Sequence, residues 1–200
     1  MDYAVVFSLL SVALIFSQLA FSAWEKHRGL VAGAATDSIH VTVDVVPSIS
    51  IDSPSDVALL PNIQETGSAT GSATWNVKTN NINGWKLEVS AAASPAMTSG
   101  ADSFADYTES APGIPEAWSI ASSASEFGFS ASGSYADAAF SGSKYLGFNG
   151  NNRIQVAHRN SQASGSGDDT AVNFQAEVGS GHNQPNGTYS ATVTATATTL

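Results

Sequence analysis

The side chains whose type and spacing could do chemistry are mostly acidic. Gly165-Ser166-Gly167-Asp168-Asp169 puts two carboxylates in a glycine-rich turn, and Asp102, Asp106 and Glu109 form a looser acidic set. Loop carboxylate oxygens are the donors that Ca²⁺ takes, so Asp168 and Asp169 are candidate metal ligands. Neither set follows EF-hand spacing, and solvated loop carboxylates are the competing reading. A second chemistry is aromatic. Trp85, Trp118 and Tyr145 could offer flat faces to a glycan, against the competing reading that Trp75 and Trp85 are core. His40, His158 and His182 share no metal-type spacing. No G-x-S-x-G elbow pairs a serine with a base. The expectation is a non-enzyme without an obligatory cofactor, Ca²⁺ being the one candidate. A hydrolase would need two of Asp102, Asp106, Glu109, Glu116 and Asp137 to meet in a cleft.

Composition narrows the setting in which such groups must work. The chain has 200 residues, of which 12% are charged, with a formal net charge of −10 and no cysteine. That charged share is about half of what soluble domains usually carry, so Ser, Thr, Asn and Gly supply the polarity instead. An acidic surface repels phosphates, which excludes nucleic acid as a partner. Without thiols, neither disulfides nor thiolate metal sites are available. This is the composition of an extracellular all-β protein.

The N-terminus fits export. Residues 3–24 form an almost unbroken apolar run, long enough to cross a bilayer as a helix. Two readings stand. Residues 1–34 are a signal peptide removed after Ala34, within Val31-Ala32-Gly33-Ala34-Ala35, or they are an uncleaved membrane anchor. Asp2 before the run and Lys26, His27 and Arg28 after it are an unusual charge pattern for a signal. In either case residues 35–200 are expected to be a single domain, with the membrane touched only through the N-terminal segment.

Period-two alternation dominates the rest. Ile39, Val41, Val43 and Val45 alternate with His40, Thr42 and Asp44, and the pattern resumes after Pro47 at Ile49 and Ile51, which predicts two short strands or one broken at the proline. Residues 73–79 and 85–91 predict a hairpin across Asn80-Asn81-Ile82-Asn83-Gly84. Residues 92–115 read as a long loop with a helical turn at 103–107. Short strands follow around Trp118 and Ile120, and around Phe127, Phe129 and Ala131. A second hairpin is expected from 144–148 and 153–159, then a strand over 170–178. A final strand after Asn186-Gly187 alternates Tyr189, Ala191, Val193, Ala195 and Ala197 with Ser and Thr, and places the terminus in a sheet. About 8–10 short strands predict an antiparallel β-sandwich, jelly-roll or Ig-like.

Gly84-Trp85-Lys86-Leu87-Glu88-Val89-Ser90-Ala91 resembles the first W-x-L motif of the WxL domains, surface proteins of Gram-positive bacteria. Asn186–Thr194 is similar to the strand carrying their second motif, although Ala195 and Ala197 stand where its Trp and Leu would fall. More loosely, such strands resemble those of pilin and spore-coat-like sandwiches. The resemblance implies an all-β fold and attachment to cell-wall polymer.

Three functions follow as expectations. The first is an exported, non-catalytic cell-surface module, structural or adhesive, whose partner is a wall polymer or glycan. The second is a filament subunit that pairs Asp37–Val46, or its last strand, with the sheet edge of another copy. The third is a secreted jelly-roll hydrolase.

Overall fold

The computed structural model describes residues 33–200, so the leader predicted over 1–34 lies almost wholly outside the described residues. Val45–Leu200 is one compact unit. It holds eleven strands: β1 (Ile49–Asp52), β2 (Gly67–Thr79), β3 (Trp85–Ala91), β4 (Met97–Ser99), β5 (Asp102–Asp106), β6 (Glu116–Ala117), β7 (Ser125–Ser132), β8 (Lys144–Gly147), β9 (Ile154–Arg159), β10 (Asp168–Val178) and β11 (Val193–Thr199). A single 3₁₀ turn, Ala138–Phe140, interrupts them, capped by the Asp137 carboxylate. The described residues contain no helix long and apolar enough to cross a membrane.

The strands form an eight-stranded and a three-stranded sheet. In the larger, β1, β2, β10 and β7 are antiparallel neighbours, and the far edge of β7 is shared between β5, which runs parallel to it, and β8. The smaller has the order β11-β3-β9. Alternation along each strand supplies the core between them. Trp75 and Val77 of β2, Val172 and Phe174 of β10, and Phe127 and Phe129 of β7 are buried together with Trp85, Leu87 and Val89 of β3. Phe129 packs on Phe148 with ring centroids 4.5 Å apart and on Phe140 at 5.7 Å. Each such side chain contributes roughly 1.5–3 kcal/mol by leaving water.

The all-β expectation and its antiparallel sheets hold, but the pairing of neighbours differs. β2 and β3 are not a hairpin: β2 pairs with β1 and β10, while β3 pairs with β11 and β9 in the other sheet. The turn between them, closed by Gly84 N–H donating to the Asn81 carbonyl, is a corner at which the chain changes sheets. The same happens between β8 and β9. Trp75 and Trp85 thus enter the core from different sheets. The predicted loop at 92–115 contains the β4–β5 hairpin instead of a helical turn, because Met97 and Phe104 both pack inward. The chain from 38 to 51 is a strand only from Ile49 onward.

Candidate assembly surface

Residues 33–48 have no regular structure, although 39–46 carry the clearest two-residue alternation in the first quarter of the chain. Ile39, Val41, Val43, Val45 and Val46 are 84%, 80%, 87%, 79% and 73% exposed. These five account for most of the large apolar side chains left in water among the described residues. Monomeric proteins seldom present a contiguous apolar stripe, and one that persists marks a contact surface. Where the stripe joins the folded unit, Asn80 holds both sides of Pro47: its Nδ2 donates to the Val46 carbonyl at 3.0 Å, and Ser48 N–H donates to its Oδ1 at 2.7 Å.

The candidate metal ligands point apart. Consecutive strand residues face opposite sides, so Asp168 lies inside and Asp169 outside. Asp168 is 5% exposed and accepts from both Arg159 Nη1 (2.9 and 3.0 Å) and the Trp85 indole N–H at 3.1 Å, and also from Ser164 N–H. Burial acts to raise its pKa, but these hydrogen bonds and the Arg159 charge outweigh burial and hold the carboxyl below its ordinary value. Arg159 also lies 4.6 Å from the Tyr135 ring centre. Asp169 accepts from Asn76 Nδ2 at 2.7 Å. The pair is therefore a structural ion pair and a surface contact in place of a shared cation site. No cluster of three metal-ligating side chains occurs among the described residues. Arg159 was missed by sequence reasoning, because nothing in its spacing ties it to Asp168.

Of the three candidate aromatics, Trp85, the first residue of β3, is fully buried in the core and cannot present a face. Trp118 and Tyr145 come together with ring centroids 5.2 Å apart, both half-buried, and Trp118 stacks on Tyr107 at 4.4 Å. The Trp118 indole donates to Glu177 at 2.6 Å. Burial raises the pKa of both tyrosines.

Four of the five acidic residues a hydrolase would need hold local structure. Asp106 accepts from Ser94 Oγ and Ala96 N–H, Glu109 from Gly147 N–H, Glu116 from Ser110, and Asp137 caps the 3₁₀ turn. The Ser110 hydrogen bonds lower the pKa of Glu116. One serine–histidine contact exists that sequence reasoning did not find. Ser125 Oγ lies 3.4 Å from His182 Nε2, but it is buried and donates to Gln184 Oε1 at 2.6 Å, and the other ring nitrogen faces the Ser123 carbonyl. This network ties the loop before β11 to β7.

The sequence matches no protein-family model and no curated protein. The two segments on which the WxL resemblance rests are hydrogen-bonded neighbours, Leu87 lying opposite Ala197 and Val89 opposite Ala195. The first motif's Trp85 and Leu87 are core residues.

Proposed function

We propose that this chain is an exported, non-catalytic β-sandwich module of Ig-like kind, which builds a surface filament by adding a strand of one copy to the sheet edge of the next. The observation that carries the reading is the exposed alternation of Ile39, Val41, Val43 and Val45, which has the form of a strand and pairs with no strand among the described residues. Burying four such side chains stabilises by about 6–12 kcal/mol. Association costs roughly 4–15 kcal/mol in lost freedom, so side-chain burial alone is not decisive. Backbone hydrogen bonds along an added strand supply the remainder, which favours strand addition over loose apolar contact. The low charged share, with polarity supplied by Ser, Thr, Asn and Gly, supports an extracellular setting. Sedimentation and electron microscopy of residues 35–200 across concentration test it: polymers are expected, and deletion of 35–46 should abolish them. A monomer unchanged at every concentration would overturn the proposal. N-terminal sequencing of protein from wall, membrane and medium fractions checks export.

A second reading has one observation in its favour, the half-exposed pair Trp118 and Tyr145. It makes the module adhesive toward a wall polymer or glycan. Co-sedimentation with purified cell wall should then fall at least several-fold in Trp118→Ala while polymers still form.

A further inference from the structure

The two sheets are unequal, eight strands against three, and β11 is an edge strand of the smaller. A groove of about 1210 Å³ lies there. Its floor includes Trp75, Phe174 and Met97, which keep 7–8% exposure, whereas Trp85, Phe129 and Val77, outside the groove, have 0%. One wall is the stretch 53–65, and the other is the chain from Gln184 into β11.

The second wall ends in an open backbone edge. Ala92 N–H donates to the Thr192 carbonyl and Leu200 N–H to the Gly84 carbonyl, so the even-numbered residues from Thr192 onward bond toward β3, while Ser190 exchanges both its backbone hydrogen bonds with Thr98 of β4. By the alternation of an antiparallel ladder, the N–H and C=O groups of Ala191, Val193 and Ala195 then point away from β3. β11 has β3 as its one paired neighbour. Its inward side chains are mostly alanine, which leaves room beside them.

We propose that this groove receives residues 39–46 of a second copy, added as a fourth strand on the free edge of β11 with Ile39, Val41, Val43 and Val45 turned to the floor. The inference rests on the self-assembly reading above and names its acceptor site. Donor and acceptor match in period and length. Four β-branched residues at every second position face a stretch in which Ala191, Val193, Ala195 and Ala197 have the same spacing. His40, Thr42 and Asp44 fall on the outer face beside Thr192, Thr194 and Thr196, so the wet side of the extended sheet stays polar. In its own chain the segment is held where it enters the folded unit, Asn80 bonding both flanks of Pro47. A neighbour's segment meets no such restraint.

Cysteine cross-linking tests this, since the chain has no thiol of its own. Residues 35–200 contain the whole core, which spans Ile49 to Ala197. Val43→Cys is mixed in turn with Ala191→Cys, Val193→Cys and Ala195→Cys, and oxidised. Directly opposite residues on paired strands are about 4.5–5.5 Å apart at Cβ, so a small shift brings the closer pairs within the roughly 3.5–4.5 Å of a disulfide. The expected result is a heterodimer on a non-reducing gel from at least one mixture, at least ten-fold above Val43→Cys mixed with Ser141→Cys on an exposed turn. Melting curves show which variants fold, and three acceptor positions keep the test open if one does not. Polymers without cross-links above the control would overturn the groove while leaving self-assembly standing. Absence of polymers would remove both. A Val43→Cys, Val193→Cys double variant that closes within one monomer at high dilution would show a self-filled groove and also overturn it.

Discussion

At the scale of single residues, Asp168 carries the strongest electrostatic commitment. In the sequence it is a candidate loop ligand or a solvated carboxylate, and in the fold it is the buried acceptor for Arg159 and Trp85. A carboxyl whose folded pKa lies below its unfolded value of about 3.9 contributes stability that is complete above that pH and is lost as pH falls through the folded value. Asp168→Asn leaves the Arg159 cation partly buried without its counter-charge, and the Arg159 side chain is only 23% exposed. Urea denaturation at pH 7 should show a loss of about 2–4 kcal/mol, and the difference from the parent chain should shrink in strong acid. A stability unchanged at pH 7 would show that the pair is dispensable. Addition of Ca²⁺ should leave the melting temperature of the parent chain unmoved, because the two carboxylates face opposite sides of β10.

At the scale of elements, the corners decide the architecture. Gly84 sits at the first with φ of +102°, and a Cβ there would lie 1.8 Å from the Arg159 carbonyl oxygen. The strained conformation and the overlap act together, so Gly84→Ala should destabilise by at least about 2 kcal/mol, read as a lowered urea midpoint. Asn81 Nδ2 donates at this same corner to the carbonyls of Gly84 and Leu200, which anchors the end of the last strand. Asn81→Ala should therefore weaken hydrogen-exchange protection of β11 more than that of β10. The alternation of Trp75, Val77, Trp85, Leu87 and Val89 was legible in the sequence, as was the turn between them. Which strands paired was not. A turn rich in Asn and Gly suits a tight hairpin or a corner equally well, and only the competing partners β10 and β11 choose between them.

At the scale of the whole molecule, stability and assembly are separable. Ile39, Val41 and Val43 lie outside the core, so charges placed there cost the folded unit almost nothing. The double variant Val41→Asp, Val43→Asp should melt within a degree or two of the parent while losing its polymers, because two unpaired carboxylates would have to enter an apolar groove. A concurrent fall in melting temperature and in assembly would instead mean that the segment belongs to the fold of its own chain. The net charge of −10 adds a salt dependence: mutual repulsion between copies weakens with ionic strength, so filaments should lengthen between low and physiological salt.

What the sequence by itself determined is which residues alternate, and therefore that the chain makes strands with one dry and one wet face. It also determined the absence of thiol chemistry and the scarcity of charge. These are local properties, readable because side-chain direction in a strand repeats every two residues. Only the tertiary structure decided that β2 and β3 belong to different sheets, that Asp168 faces Arg159 while Asp169 faces solvent, and that Trp85 is core while Trp118 and Tyr145 meet near the surface. It alone left the 39–46 alternation exposed and unpaired among the described residues. Pairing is a contest among distant segments for the same backbone edges and the same interior volume, and its outcome depends on every competitor at once.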